Sequence, residues 1–217
     1  MKARIDWGLY LVTDRRLAGS RPLEEVVRAA VRGGVTAVQL REKECGTAEF
    51  VELARKLKVL LAPMAIPLMV NDRVDVALAS GADGVHIGQL DMAYGDVRRL
   101  VGPDAIIGLS VQNEEQAADA ASLDVAYLGA SPIFPTPTKS DTGPPCGIEG
   151  LSAMRRASRH VLVAIGGIDV GNAATVMGAG ADGVAVVSAI CAASDPETAA
   201  RELRRIVDQA RKGRGGK

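Results

Sequence analysis

Short apolar runs of strand length alternate with amphipathic segments of helical period eight times along the chain, and few folds accommodate that rhythm. The apolar runs lie at 9–13, 37–41, 67–71, 84–87, 106–110, 125–130, 161–165 and 183–187. Helical patterns lie near 22–32, 48–61, 74–79, 94–101, 113–121, 151–157, 172–178 and 197–209. Strands separated by helices pair in parallel, because the chain must cross back before the next strand begins. Eight of them can close on themselves and leave no edge, at the roughly 25 residues per unit of a (β/α)8 barrel. The expected fold is therefore α/β, a single (β/α)8 TIM barrel over residues 1–211, with a flexible basic tail at 212–217. An open doubly wound sheet is the alternative. The near-repeat Gly81-Ala82-Asp83-Gly84-Val85 and Gly180-Ala181-Asp182-Gly183-Val184 stands at the same helix-to-strand junction four units apart. It reads as turn chemistry at the stability face: glycine ends the helix and aspartate orders the turn.

Charge and cysteine content exclude several functions. Lys plus Arg and Asp plus Glu both number 26, so no global field invites nucleic acid or an anionic membrane, and any anion site must be local. Cys45, Cys146 and Cys191 stand far apart without a CxxC spacing, and two histidines are too few to complete a zinc site. Reduced thiols in a cytoplasmic compartment are expected. No apolar run approaches the ~18 residues of a membrane span, and the first residues lack the apolar core of a leader. Whether the chain forms a homo-oligomer stays open.

In a barrel the chemistry belongs at the carboxyl ends of the strands, and polar residues collect there. The second strand ends Gln39-Leu40-Arg41-Glu42-Lys43, where alternation sends Val38 and Leu40 towards the helices and Gln39 and Arg41 inward. Strand three ends Asn71-Asp72-Arg73, strand four leads through His86 to Gln89-Leu90-Asp91, and strand five ends at Ser110. Carboxylates from neighbouring loops, with waters and a phosphate completing an octahedron, are the usual setting for Mg2+, so Asp72 and Asp91 are candidate ligands. Helix capping is the alternative for each. Across the mouth, Gly166-Gly167 and Val187-Ser188 follow strands seven and eight, where barrels often hold a phosphate on backbone N–H groups.

Between strand six and the next helix runs Ser131-Pro132-Ile133-Phe134-Pro135-Thr136-Pro137-Thr138-Lys139, with a polar tail to Gly147. Its three prolines forbid helix and deny a central strand its donors, leaving a long loop that carries two hydroxyls and a cation towards an anion.

Taken in order, Gln39 to Lys43, Asn71-Asp72-Arg73, the run from Gly84 through His86 to Asp91, Gly108-Leu109-Ser110, Pro135 to Lys139, Ile165 to Ile168 and Val187 to Ile190 resemble the successive motifs of the thiamine-phosphate synthase family. The resemblance spans nearly the whole chain. It implies a barrel enzyme that joins hydroxymethylpyrimidine diphosphate to a thiazole phosphate, releasing diphosphate and forming thiamine phosphate, with small molecules as its partners. It further implies that Gln39, Leu40, Arg41, Glu42, Lys43, Asn71, Ser110 and Lys139 hold the pyrimidine diphosphate. Asp72 and Asp91 would ligate Mg2+, and Thr136, Pro137, Thr138, Gly167, Val187 and Ser188 would hold the thiazole phosphate. Arg41, Lys43, Ser110 and Lys139 would act in catalysis, the cations stabilising the departing diphosphate. His86 and Gln112 are left open between lining the site and structural roles. A thiazole tautomerase, a similar barrel without the metal and diphosphate residues, a generic phosphate-binding barrel enzyme of the epimerase or indole-glycerol-phosphate synthase type, and a non-catalytic ligand-binding or regulatory barrel are the rival readings.

Overall fold

A computed structural model describes residues 5–136 and 143–214, apart from the side chain of Arg214. Eight strands form a closed parallel barrel in sequence order. They are β1 (Leu9–Val12), β2 (Ala37–Leu40), β3 (Leu68–Asn71), β4 (Gly84–Ile87), β5 (Ile106–Val111), β6 (Tyr127–Ala130), β7 (Leu162–Ile165) and β8 (Gly183–Val186). The open-sheet alternative falls, because β1 pairs with β8 through Leu9↔Val184, Tyr10↔Ala185 and Leu11↔Val186. The helices are α1 (Arg15–Ala18), α2 (Leu23–Arg32), α3 (Thr47–Leu61), α4 (Val74–Ser80), α5 (Tyr94–Val101), α6 (Glu114–Asp119), α7 (Gly147–Ala157), α8 (Ala173–Gly178), α9 (Ser188–Cys191) and α10 (Pro196–Arg214). None of the described helices is long and apolar enough to cross a membrane.

Three differences from the sequence reading have local causes. The single turns α1 and α9 are too short to show a helical period. Helix α7 begins at Gly147, four residues before the apolar pattern, because Gly147 and Gly150 read as turn residues. Helix α10 continues to Arg214, past the expected start of the tail at 212. Its Arg204 and Arg211 reach back to Asp6, at 2.8 and 2.6 Å, and tie the helix to the chain entering β1.

Period-two alternation divides the core. Leu9, Leu11, Val38 and Leu40 face outward into the layer between sheet and helices. Trp7, Tyr10, Val12, Met69, Tyr127 and Ala185 face inward and plug the barrel. Close approaches fix where glycine must stand: a Cβ on Gly84 would lie 2.0 Å from the Ile106 carbonyl oxygen, and one on Gly183 would lie 1.7 Å from that of Trp7.

The repeated aspartates do one job twice. The Asp83 carboxylate accepts from the Leu68 N–H at 2.8 Å, and its own N–H donates to the Leu68 carbonyl. Asp182 repeats both bonds with Leu162. A cation from the preceding helix completes each set, Lys58 on α3 and Arg155 on α7. Each aspartate thus fastens the first residue of β3 or β7 at the amino-terminal rim. Asp83→Ala or Asp182→Ala leaves a strand N–H and a cation unpaired, so each should lower unfolding stability by about 1–3 kcal/mol in urea titration while leaving turnover per folded molecule unchanged.

Candidate active site

The carboxyl ends of the strands open into a cavity of about 450 Å³. Gln39, Arg41, Lys43, Asn71, Asp72, Asp91, Ser110, Thr136, Gly167, Val187 and Ser188 all line it, from both sides of the mouth. Alternation explains the placement on β2: Gln39 and Arg41 point in, while the Leu40 side chain is buried against the helices. Glu42 also leaves the cavity and pairs with Arg15 at 2.9 Å. The side chains of Leu40 and Glu42, which the resemblance places with the pyrimidine diphosphate, are not among those that line the cavity. Pro137, Thr138 and Lys139 lie outside the described residues.

One wall gathers charge. Lys43 Nζ stands 3.1 Å from Asp72 Oδ2. Asp72 leaves β3 in the left-handed region, at φ 61°, with its N–H donating to the His86 carbonyl at 2.8 Å. That conformation is uncommon outside glycine and turns the carboxylate into the mouth. Asp91 Oδ2 accepts from the Gly88 N–H at 2.7 Å. Partial burial and then the adjacent Asp72 charge push the Asp91 carboxyl above the ordinary carboxylate value, against the opposing effects of the Gly88 N–H and Lys43. Neither aspartate caps a helix: the cap of α4 is Arg73 and that of α5 is Ala93, so the capping alternative falls for both.

This donor set suits Mg2+. A carboxylate whose proton affinity is raised beside a second carboxylate, as at Asp91, is what a divalent cation relieves, and Mg2+ takes its remaining ligands from water and phosphate. No group of three or more His, Cys, Asp or Glu side chains that could hold a metal ion occurs among the described residues.

The opposite wall is made of backbone. Gly166 and Gly167 follow β7 at φ 107° and 65°, and Ser188 opens the turn of α9 after β8. The root of the loop after β6 is laced to this wall, with Ile133 N–H donating to the Ile165 carbonyl and Phe134 N–H to the Gly166 carbonyl, both at 3.0 Å. A Cβ on Gly166 would meet Pro132 Cβ at 2.8 Å, and one on Gly167 would meet Phe134 Cβ and the Pro135 oxygen at 2.8 Å. The glycine pair therefore lets this loop dock as well as allowing an anion near.

The floor was not legible as polar in the sequence. Gln39 Nε2 donates to the Tyr10 hydroxyl at 3.0 Å, and the Tyr10 and Tyr127 hydroxyls lie 2.8 Å apart. The Tyr127 hydroxyl is 2.8 Å from His86 Nδ1, and His86 Nε2 is 2.8 Å from Ser110 Oγ. Both tyrosines look like core aromatics in the sequence; the signal that was present is glycine within neighbouring strands. A Cβ on Gly108 would lie 2.2 Å from the Tyr127 ring, and one on Gly129 would lie 3.1 Å from His86 Cε1. His86, left open before, therefore joins the site, and Gln112 lines the cavity.

A closed barrel whose polar side chains gather at the carboxyl rim, cations and carboxylates facing glycine backbone, belongs to the class of barrel enzymes that work on anionic substrates. Within that class, the profile described as thiamine monophosphate synthase matches residues 9–190. The chain is 60% identical over 200 residues to a thiamine-phosphate synthase of Albidiferax ferrireducens, covering 92% of this chain and 91% of that protein. It is 53% identical over 211 residues to one of Xanthobacter autotrophicus, covering 97% and 100% of the two chains. The solved thiamine phosphate pyrophosphorylase from Pyrococcus furiosus superposes with a TM-score of 0.87 at 41% identity, over 95% of this chain and 98% of that one. The chain belongs to the thiamine monophosphate synthase family.

Gly167→Ala imposes both a strained φ and a contact with immobile backbone. It should undock the loop root and lower stability by about 1–3 kcal/mol, read as a reduced urea midpoint together with a raised KM for the phosphorylated acceptor.

Proposed function

We propose that the chain condenses hydroxymethylpyrimidine diphosphate with the thiazole phosphate to give thiamine phosphate and diphosphate, the charged wall taking the diphosphate and the glycine wall taking the single phosphate. Family membership supports the reaction, and the observation that carries the division of the site is the Lys43–Asp72 pair, with Asp91 beside it, across one cavity from Gly167 and Ser188.

In this reading Asp72 and Asp91 hold Mg2+, which when bound supplies positive charge to the diphosphate. Arg41 and Lys43 line the cavity beside it and stabilise the same leaving group, with Lys139 joining them on the strength of the sequence resemblance. Thr136, on the loop, and Ser188, at the glycine wall, orient the thiazole phosphate. A docked loop keeps water from the reacting carbon.

The scissile carbon is attached to an electron-rich aminopyrimidine, so departure of diphosphate through a pyrimidine carbocation, captured by the thiazole nitrogen, needs no protein nucleophile. The thiols suit that reading. None of the three lines the cavity, and burial pushes each up, with Cys191 at about 11. Three free thiols also suit a reducing compartment, and we place the enzyme in the cytoplasm.

Diphosphate release by the purified chain should require both substrates and Mg2+, and should fall by about a hundredfold or more in Asp72→Ala and in Lys43→Ala. Release from the pyrimidine substrate alone, or undiminished release in both variants, would sink the assignment. A fluorine on the pyrimidine methyl group should slow the reaction strongly, and an unchanged rate would remove the carbocation.

A further inference from the structure

Beneath the cavity, Gln39, Tyr10, Tyr127 and His86 lead to Ser110 through hydrogen bonds of 2.8 to 3.0 Å, and the amide at the start of the file favours one direction along it. An amide nitrogen only donates, so the Tyr10 oxygen accepts from Gln39 Nε2. The Tyr10–Tyr127 bond, 2.8 Å long, can run either way; with Tyr10 already accepting from Gln39, the order Tyr10 to Tyr127 gives each hydroxyl proton an acceptor. In the same order Tyr127 passes its own proton to His86 Nδ1, 2.8 Å away. With Nδ1 accepting, a neutral imidazole carries its proton on Nε2 and donates it to Ser110 Oγ at 2.8 Å. Ser110 lines the cavity, and with its oxygen already accepting, its hydroxyl proton points into the space the substrate fills.

We propose that Gln39, Tyr10, Tyr127 and His86 are positioning residues that lock Ser110 as a one-way hydrogen-bond donor to an acceptor atom of the bound pyrimidine diphosphate. The proposal rests on the reading of the reaction given above and names what this part of the site does in it.

Independent features favour a built device over incidental packing. Burial holds both tyrosine hydroxyls well above their ordinary value, so each keeps the proton it must pass on. Trp7 closes the far end, its ring 4.3 Å from that of Tyr127 and 5.7 Å from that of Tyr10, so water does not compete for these bonds from below. Gly108 and Gly129 supply the room in which the Tyr127 and His86 rings lie.

The test reads the tautomer directly. The chain has two histidines, so nitrogen NMR of labelled protein, with His160→Gln used for assignment, isolates His86. The expected result is a protonated, pyrrole-type Nε2 and an unprotonated, pyridine-type Nδ1. Tyr127→Phe removes the donor to Nδ1 while keeping the ring, so it should mix the two tautomers and lower kcat for diphosphate release roughly tenfold, the size of one lost hydrogen bond, with KM for the thiazole phosphate unchanged. Tyr10→Phe leaves the Tyr127–His86 bond in place and should keep the Nε2–H tautomer with a smaller loss. A proton on Nδ1 in the unaltered chain would mean that the Gln39 amide is turned and every bond runs the other way, which overturns the proposal. So would a folded Tyr127→Phe with unchanged tautomer and kcat. If Tyr127→Phe fails to fold, the tautomer of the unaltered chain and the Tyr10→Phe result still decide. Failure of the reaction assignment itself would look different: no diphosphate release by the unaltered chain, whatever the tautomer.

Discussion

The pairing of β1 with β8 is the constraint on which everything else depends. Until that seam closes, the sheet has two open edges and no interior; once it closes, every strand has one face towards the helices and one towards the barrel axis. The seam leaves little room. A side chain at Gly183 would run into the Trp7 carbonyl, so the residue that starts β8 must be glycine for β1 to lie alongside. Closure also gives the inward residues a common destination. Tyr10 on β1 and Tyr127 on β6 meet hydroxyl to hydroxyl although 117 residues separate them.

The two ends of the barrel use the same residue types for opposite purposes. At the amino-terminal rim Asp83 and Asp182 satisfy strand N–H groups and pair with helix cations, while Asp6 is clamped by Arg204 and Arg211. Partial burial raises the Asp6 carboxyl, but the two arginines and the Gly8 N–H more than offset it and hold it below its ordinary value. These charges have their partners within the fold. At the carboxyl rim Asp72 and Asp91 stand close enough that like charge raises Asp91, an arrangement that is unfavourable for the empty protein and suited to a cation and a polyanion. Ion pairs that fasten strand ends thus gather at one rim, and two carboxylates close enough to repel at the other.

Most of the architecture was legible because it follows from periodicity. All eight strands fall within about two residues of the apolar runs, since a strand buried on both faces must be a short apolar block between helical patterns. The cations and carboxylates were legible for a related reason: a charged residue directly after such a block has only the rim to occupy. What escaped were features without a repeating pattern. The turns α1 and α9 are too short to have a period, and α7 starts among glycines. Motif membership alone placed Leu40 and Glu42 with the substrate; their side chains lie outside the cavity lining, Leu40 among the helices and Glu42 on Arg15.

The sequence by itself determined the closed parallel barrel, the rim on which its chemistry stands, and the family to which the motifs belong, because these depend on local periodicity and on residue order. Only the tertiary structure decided that Asp72 and Asp91 cap no helix, that the Gly166–Gly167 pair seats the loop root, and that Tyr10, Tyr127 and His86 form a hydrogen-bonded file under Ser110. Each of those depends on which atoms of distant strands lie within about 3 Å of one another, the range over which a hydrogen bond or a steric contact acts. Composition and spacing along one strand do not specify that distance; the closed sheet does.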